Sequence, residues 1–308
     1  MPLSAYDLTG RTAFVTGAAG GIGRATAVLL ADAGATVHCA DRDEKGLTET
    51  AGLIAERGGS ARTHHLDVTD RRALRAAVEC AAGHTARHTP DAEAEAEAEA
   101  EAEATPDAEA APDPDPDPKP APGTRTSNGT GTGGGGGLHV LAAIAGVMHT
   151  GAVLETSDED VDRVFAVNFK GVLYACQEAV RVMRADGVRG SVVTMASGAV
   201  DSATPGLLCY SVAKAAVVQL TRTLAAEAGP YGIRVNAVAP GWVRTPMTER
   251  HDTERQRRIE SAMVRAAPLG RVGEAADIAH AVLHLACDAS SFTTGQILRP
   301  NGGVTMPW

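Results

Sequence analysis

Tyr210 and Lys214, in the run YSVAK, set a phenol and an ammonium four residues apart, and Ser197 precedes the tyrosine by thirteen residues. Together the three groups suit the movement of one proton. In the surrounding text, LCYSVAKAAVVQLTRTLAAEAG, apolar residues recur at Ala213, Ala216, Val217, Leu220 and Leu224, which predicts a helix with one buried stripe. Positions i and i+4 are neighbours on such a helix, so the ammonium lies near the phenol and favours phenolate. An ordinary tyrosine has a pKa of about 10, and bringing it near neutrality takes about 4 kcal/mol. A cation about 4 Å away at an effective dielectric of about 20 supplies on the order of that much. Tyr210 is therefore a candidate general acid or base. The same pattern also describes a half-buried ring beside a solvated charge, and the rest of the chain decides between the two.

At the front of the chain, RTAFVTGAAGGIG runs from a short apolar strand into a glycine cluster, and the helical pattern RATAVLLADAG follows. Gly17 lets the chain leave the strand sharply, Gly21 admits a pyrophosphate close to the backbone, and Gly23 permits tight helix packing. The helix opening at Gly20, Gly21, Ile22 and Gly23 points its N-terminus at the phosphates. A second strand, ATVHCA, ends at Asp41, where a carboxylate accepts from both hydroxyls of an adenosine ribose and repels a 2′-phosphate. With no basic side chain at Gly20, this favours NAD. Arg42 keeps NADP open, since a guanidinium there pairs with a 2′-phosphate. A third strand, RTHHLDV, ends at Asp67 and Val68, well placed to border an adenine. The alternative for Asp67 is a helix cap before TDRRALRAAVE, a role that Thr69 fits equally well.

With Thr16-Gly17-x-x-x-Gly21-x-Gly23 in front and Ser197 and Tyr210-x-x-x-Lys214 behind, the chain resembles the classical short-chain dehydrogenase/reductase family from about Thr9 to Met306, apart from one insertion. Asn168, in VFAVNFKG, matches the family's helix asparagine. Pro240, Gly241, Val243 and Thr245, in NAVAPGWVRTPM, match the segment that holds the nicotinamide. The resemblance implies hydride transfer between a nicotinamide and a secondary alcohol or ketone. It implies that Tyr210 exchanges the hydroxyl proton, that Lys214 lowers the tyrosine pKa and holds the nicotinamide ribose, and that Ser197 hydrogen-bonds the substrate oxygen. By the same resemblance Asn168 positions a water linking Lys214 to solvent, and the assembly is a homotetramer.

Two departures stand out. Ala143-Ile144-Ala145-Gly146 replaces the usual Asn-Asn-Ala-Gly, so Ala145 and Gly146 are expected to border the cofactor with some loss of rigidity. Asn301 stands where an aspartate is common. Two other functions compete with an NAD-dependent dehydrogenase: an NADPH-dependent 3-ketoacyl-type reductase and a non-catalytic dinucleotide-sensing protein. The second is disfavoured, because a sensor has no need of Tyr210, Lys214 and Ser197 together.

These residues need a scaffold. Strand and helix alternate from Arg11 to Glu79. Strand 138–145, helix 157–184, strand 190–196, helix 208–228, strand 233–239, helix 274–287 and strand 295–299 follow. This predicts an α/β fold, a Rossmann-like doubly wound parallel sheet. Residues 1–84 and 138–308 form one catalytic domain, interrupted by a low-complexity insertion at 85–137 that joins a helix to a strand. That connection lies opposite the edge where ligands bind. The insertion alternates Glu and Ala, then Asp and Pro, then runs through glycine. It holds twelve acidic and three basic residues and accounts for nearly all of the chain's net charge of −10. Its composition predicts disorder or a fraying helix.

Five cysteines, with no C-x-x-C pair, are expected as reduced thiols. No signal peptide or membrane-length apolar run is read, so a cytoplasmic enzyme of a small alcohol or ketone is expected, without nucleic acid or membrane partners. His280 and His284 have metal-like spacing but lack a third ligand in the sequence, and no metal is expected. Cys209 and His149 could line the pocket, although ordinary packing explains each. Residues 242–268 are the expected substrate lid, where Arg250, Arg255, Arg257 and Arg258 would attract an acidic substrate or simply face solvent.

Overall fold

A computed structural model describes residues 4–84, 136–248 and 253–307. In the nucleotide half, β1 (Thr12–Thr16), α1 (Gly21–Asp32), β2 (Thr36–Asp41), α2 (Glu44–Glu56), β3 (Ser60–His65) and α3 (Arg71–Ala81) alternate. Then come β4 (Val140–Ala143), α4 (Asp158–Phe165), α5 (Val172–Ala185), β5 (Ser191–Met195), α6 (Leu208–Ala228) and β6 (Arg234–Val238). A two-stranded ribbon of β7 (Val243–Arg244) and β8 (Gly273–Glu274) brackets α7 (Thr253–Ala266), and α8 (Ala275–Ala286) and β9 (Ile297–Leu298) close the fold.

Seven strands pair in the order β3-β2-β1-β4-β5-β6-β9, all parallel. Parallel strands need crossovers, and the crossovers cover both sheet faces with helices, so the central strands read as continuous apolar runs. Alternation along each strand then divides the core in two. Val15, Val37, Val140 and Val193 face α1 and α8 and pack on Leu30, Ile278 and Leu285. Phe14, Leu141, Val192 and Val235 face α3, α5 and α6 and pack on Leu74, Met183 and Val217. Each such fully buried side chain contributes roughly 1.5–3 kcal/mol. The chain reverses its winding between β1 and β4, and the crevice at the carboxyl ends of these strands is where a doubly wound sheet binds its ligands.

The helix expected over 157–184 is interrupted. Residues Ala166–Gly171 form a π-turn. The cause is tertiary: Val147 N–H donates to Asn168 Oδ1 at 2.8 Å, and Asn168 Nδ2 donates to the Val147 carbonyl at 2.8 Å. At the end of the turn, a Cβ on Gly171 would fall 2.7 Å from Val68 Cγ2, so the widened backbone also lets the helix approach the end of the third strand's loop.

The expected insertion lies outside the described residues except for Gly136 and Gly137. Its two ends are adjacent: a Cβ on Gly83 would lie 3.6 Å from Gly136 Cα. His84 Nε2 lies 2.9 Å from Asp186 Oδ1 in the turn leading from α5 to β5. Both ends therefore sit at the amino edge of the sheet, across the molecule from the crevice. Among the described residues, no helix is long and apolar enough to cross a membrane.

Candidate active site

The glycine loop is shaped by contacts that leave no room for side chains. Gly17 has φ +72, and a Cβ there would approach Ala145 Cα and N at 2.9 Å. A Cβ on Gly23 would lie 1.9 Å from the Gly17 carbonyl oxygen, so the start of α1 rests directly on the loop. A Cβ on Gly21, which has φ +49, would lie 3.3 Å from Thr245 Cβ, while Gly20 caps α1 with open space before it. The segment after β6 is thereby brought over the first helix N-terminus, with Ile22 packed partly into the core below.

Asp41 ends β2 beside this loop. Its carboxylate accepts from Ala19 N at 3.1 Å and from Asp43 N at 3.0 Å, which locks the side chain toward the glycine turn. Arg42 is exposed next to it. Asp67 accepts from the backbone N and the hydroxyl of Thr69 at 2.9 and 2.7 Å. Burial raises the Asp67 carboxyl, but these two bonds and the Arg42 charge outweigh it and hold it below the ordinary carboxylate range. Neither Asp67 nor Thr69 caps the helix that follows, because Asp70 does, accepting from Ala73 N at 2.9 Å. Asp67 is thus left at the crevice rim with Val68 buried behind it.

Across the crevice, Tyr210 and Lys214 lie in the first two turns of α6, and Ser197 follows β5 and caps a short 3-10 turn, accepting from Ala199 N at 3.2 Å. Lys214 is 2% exposed and Nζ donates to the Met195 carbonyl at 2.7 Å. The ammonium is 5.9 Å from the centre of the Tyr210 ring. Burial pushes Lys214 down to about 8. Burial also raises the Tyr210 phenol above its ordinary value, against a hydrogen bond from Ser197 that lowers it. Desolvation of the phenolate is the larger of the two effects.

Asn168 is fully buried, and both ends of its amide are taken by Val147. The side chain thus fixes the Gly146–Val147 backbone. A Cβ on Gly146 would stand 3.0 Å from Asn168 Oδ1 and 3.5 Å from Lys214 Nζ, so Gly146 is where these two residues converge. Ile144 and Ala145, in the segment where Ala143 and Ile144 replace the family's asparagines, are held by Thr16, whose hydroxyl accepts from Ile144 N at 3.0 Å and Ala145 N at 3.2 Å. Neither contact has a signature in the sequence.

The wall opposite is built from Pro240 and Gly241. The Pro240 carbonyl accepts from Gly198 N at 2.8 Å, beside Ser197. A Cβ on Gly241 would meet Asn301 Cα at 2.9 Å. Asn301 donates to the Thr305 carbonyl at 2.7 Å and accepts from Gly303 N at 2.9 Å, so the amide closes the C-terminal turn. Val243 is buried, and the Arg244 beside it reaches Glu260 of α7 at 2.9 Å and Glu274 at 2.7 Å. The expected lid is thus tied at its root. Trp242, Met263, Ala267, Val272, Asn301 and Val304 line a cavity of about 220 Å³ under α7. Arg250 lies outside the described residues. Cys209 packs with Val164 and Ala213, His149 pairs with Asp160 at 3.3 Å, and His284 and His280 bond to Tyr6 and to the Ala276 carbonyl.

Comparison with known proteins agrees with this geometry. Residues 11–87 match the family described as short chain dehydrogenase, and residues 131–305 match the family described as enoyl-(acyl carrier protein) reductase. A (3R)-3-hydroxyacyl-CoA dehydrogenase of Canis lupus familiaris is 30% identical over 310 residues, covering 98% of this chain and 99% of the relative. The 3-oxoacyl-(acyl-carrier-protein) reductase FabG of Thermotoga maritima is 31% identical, covering 97% and 99%. Among solved structures, a short-chain type dehydrogenase/reductase of Mycobacterium marinum superposes with a TM-score of 0.77 at 29% identity, over 99% of both chains. A structure from Agrobacterium tumefaciens described as a 2-deoxy-d-gluconate 3-dehydrogenase with bound NADP gives 0.73 at 31% identity, over 98% of both. The chain therefore belongs to the short-chain dehydrogenase/reductase family and is an NAD(P)-dependent oxidoreductase that moves a hydride between a nicotinamide and a hydroxyl or keto group.

Proposed function

We propose that this enzyme is an NAD-preferring dehydrogenase of secondary alcohols, with Tyr210 as its general acid and base. The observation that carries the reading is the meeting of Tyr210, Ser197 and Lys214 at one point of the crevice, facing the glycine cradle formed by Gly17, Gly20, Gly21, Ile22 and Gly23. That cradle fits a dinucleotide: it is closed to side chains at Gly17 and Gly23 and open before Gly20. In this reading Asp41 and Arg42 meet the adenosine ribose, and Asp67 and Val68 border the adenine. Ala145, Gly146, Pro240, Gly241, Val243 and Thr245 enclose the nicotinamide end.

When bound, NAD supplies the hydride acceptor and a positive charge beside the phenol. During oxidation the substrate hydroxyl gives its proton to the Tyr210 oxygen, and the Ser197 hydroxyl donates to the substrate oxygen and orients it. Lys214, held by Met195, keeps the ribose side of the crevice positive. Asn168 holds the Val147 backbone beneath it. Replacing Tyr210 by Phe tests the assignment: NAD binding should persist while turnover falls by at least about a hundredfold. Retention of full turnover would sink it.

The second reading is an NADPH-dependent reductase of 3-oxoacyl thioesters. It is favoured by the exposed Arg42 guanidinium, by the NADP in the Agrobacterium neighbour and by the acyl substrates in the relatives' names. Asp41 favours the first reading, because a carboxylate at that position repels a 2′-phosphate. We further infer a homotetramer, supported by Leu208 and Val212 left exposed on α6. A reducing, cytoplasmic setting is supported by five free cysteines, four of them buried. Residues 85–137 are taken as an insertion remote from catalysis.

A further inference from the structure

The geometry points to a transition-metal site formed by His38, His64 and Cys80, between the outer strands β2 and β3 and the C-terminal turn of α3. The strand register creates it. Ala40 pairs with His64 and His38 with Arg62 across β2 and β3, and residues two apart share a face. His38 and His64 therefore project from the same face. This is the face that α3 covers, since Ala40 shares its core with Leu74, Ala77 and Ala81. Cys80, in the last turn of α3, completes the group.

The three ligand atoms lie within 4.8 Å of one another. His38 Nδ1 is 2.8 Å from His64 Nε2, and the rings stack with centres 5.1 Å apart at 17°. Phe14 also contacts His64, with ring centres 5.7 Å apart. His38 is buried, His64 half-buried and Cys80 exposed, so an ion has an entry path along the Cys80 side.

Two imidazoles and one thiolate suit zinc, cobalt or copper over calcium or magnesium. Metal–nitrogen bonds of about 2.0–2.1 Å in tetrahedral geometry hold the nitrogens roughly 3.4 Å apart, so the histidine pair must open by about half an ångström. The proton shared between the rings moves to a ring nitrogen facing away from the metal. The Cys80 thiol releases its proton to solvent, so a divalent ion brings a net charge of +1 into the site and a fourth position stays available to water. Arg62 opposes that charge, but its guanidinium is exposed and screened. Such an ion would clip β2, β3 and α3 together and leave Tyr210 untouched, which separates this inference from the catalytic reading.

Titration of the full-length chain with Co²⁺ and then Zn²⁺ tests it. One equivalent of Co²⁺ should bind with a thiolate-to-cobalt charge-transfer band that Cys80→Ser removes. Zn²⁺ affinity should fall at least about tenfold in Cys80→Ser and in His64→Gln. Zn²⁺ should raise the melting temperature of the parent without changing its turnover. Because Cys80 is exposed, Cys80→Ser keeps the test open if a histidine variant fails to fold. Absence of the band in the parent, or Zn²⁺ affinity equal in parent and both variants, overturns the proposal.

Discussion

Lys214 Nζ is bonded to the carbonyl of Met195, the last residue of β5 and two residues before Ser197. A single buried ammonium therefore ties α6, which carries Tyr210, to the strand that delivers Ser197. Burial also sets its pH response. Lys214 falls from 10.5 to about 8 in the folded chain. Below about pH 8 both folded and unfolded chains hold the proton and the burial penalty is fully present. Between about 8 and 10.5 only the unfolded chain holds it, so this residue's contribution to stability rises with pH across that window. The change is on the order of 3 kcal/mol. Urea unfolding of the parent and Lys214→Met at pH 7 and pH 10 should show the difference between them shifting toward the parent by that order. A difference that stays constant would contradict the buried ammonium.

Ser197 and Tyr210 share the proton-transfer centre, where burial raises the phenol and the Ser197 hydrogen bond lowers it. Oxidation needs the phenolate, so its rate should rise through the alkaline range. Removing the hydroxyl in Ser197→Ala should move that rise to still higher pH and reduce turnover. The pH profile of kcat is the readout, and a profile unchanged in position would remove Ser197 from the tyrosine's environment.

Asp41 is held by Ala19 N and Asp43 N with its carboxylate toward the glycine turn. A charge-assisted hydrogen bond contributes about 1.5–3 kcal/mol, so Asp41→Asn should cut the ratio of kcat/KM for NAD over NADP by about ten- to a hundredfold. Steady-state kinetics with both cofactors measure it. A parent enzyme that already prefers NADP would favour the reductase reading.

Thr16 fixes the turn after β4 by accepting from Ile144 N and Ala145 N. Thr16→Val keeps the shape and leaves two N–H groups unpaired at the β1–β4 junction. A loss of about 1–3 kcal/mol is expected from urea unfolding, with a larger effect on nicotinamide than on adenine contacts. Equal stability would mean that water replaces the hydroxyl.

The ends of the insertion meet at Gly83 and Gly136, at the amino edge of the sheet. Deleting residues 85–135 should leave kcat/KM with the native substrate within about twofold, because none of the proposed catalytic residues lies on that edge. A tenfold fall in an enzyme that keeps its circular dichroism and melting temperature would place the insertion in the function.

Most of the element order was legible, because hydrophobic period and chain punctuation are local properties. The helix expected over 208–228 is observed as Leu208–Ala228, and the glycine loop has the tight approaches assigned to Gly17 and Gly23. What escaped was set by contacts distant in sequence. The π-turn at Asn168 exists because its amide bonds Val147, twenty-one residues earlier. The raised phenol of Tyr210 depends on how much solvent the folded crevice excludes, which spacing along one helix does not contain. The final strand shrank from 295–299 to Ile297–Leu298, since only two residues find ladder partners on β6. The His38, His64 and Cys80 group was invisible for the same reason: strand register and helix placement bring it together, over separations of 26 and 16 residues.

The meeting of Gly83 with Gly136 also bears on how much chain this junction tolerates. Where two chain ends are already held side by side, each doubling of the residues between them changes folding free energy by only about 0.6 kcal/mol. This amino-edge junction is accordingly a natural graft point, where a reporter or affinity module can be spliced into the enzyme with its catalytic crevice left intact.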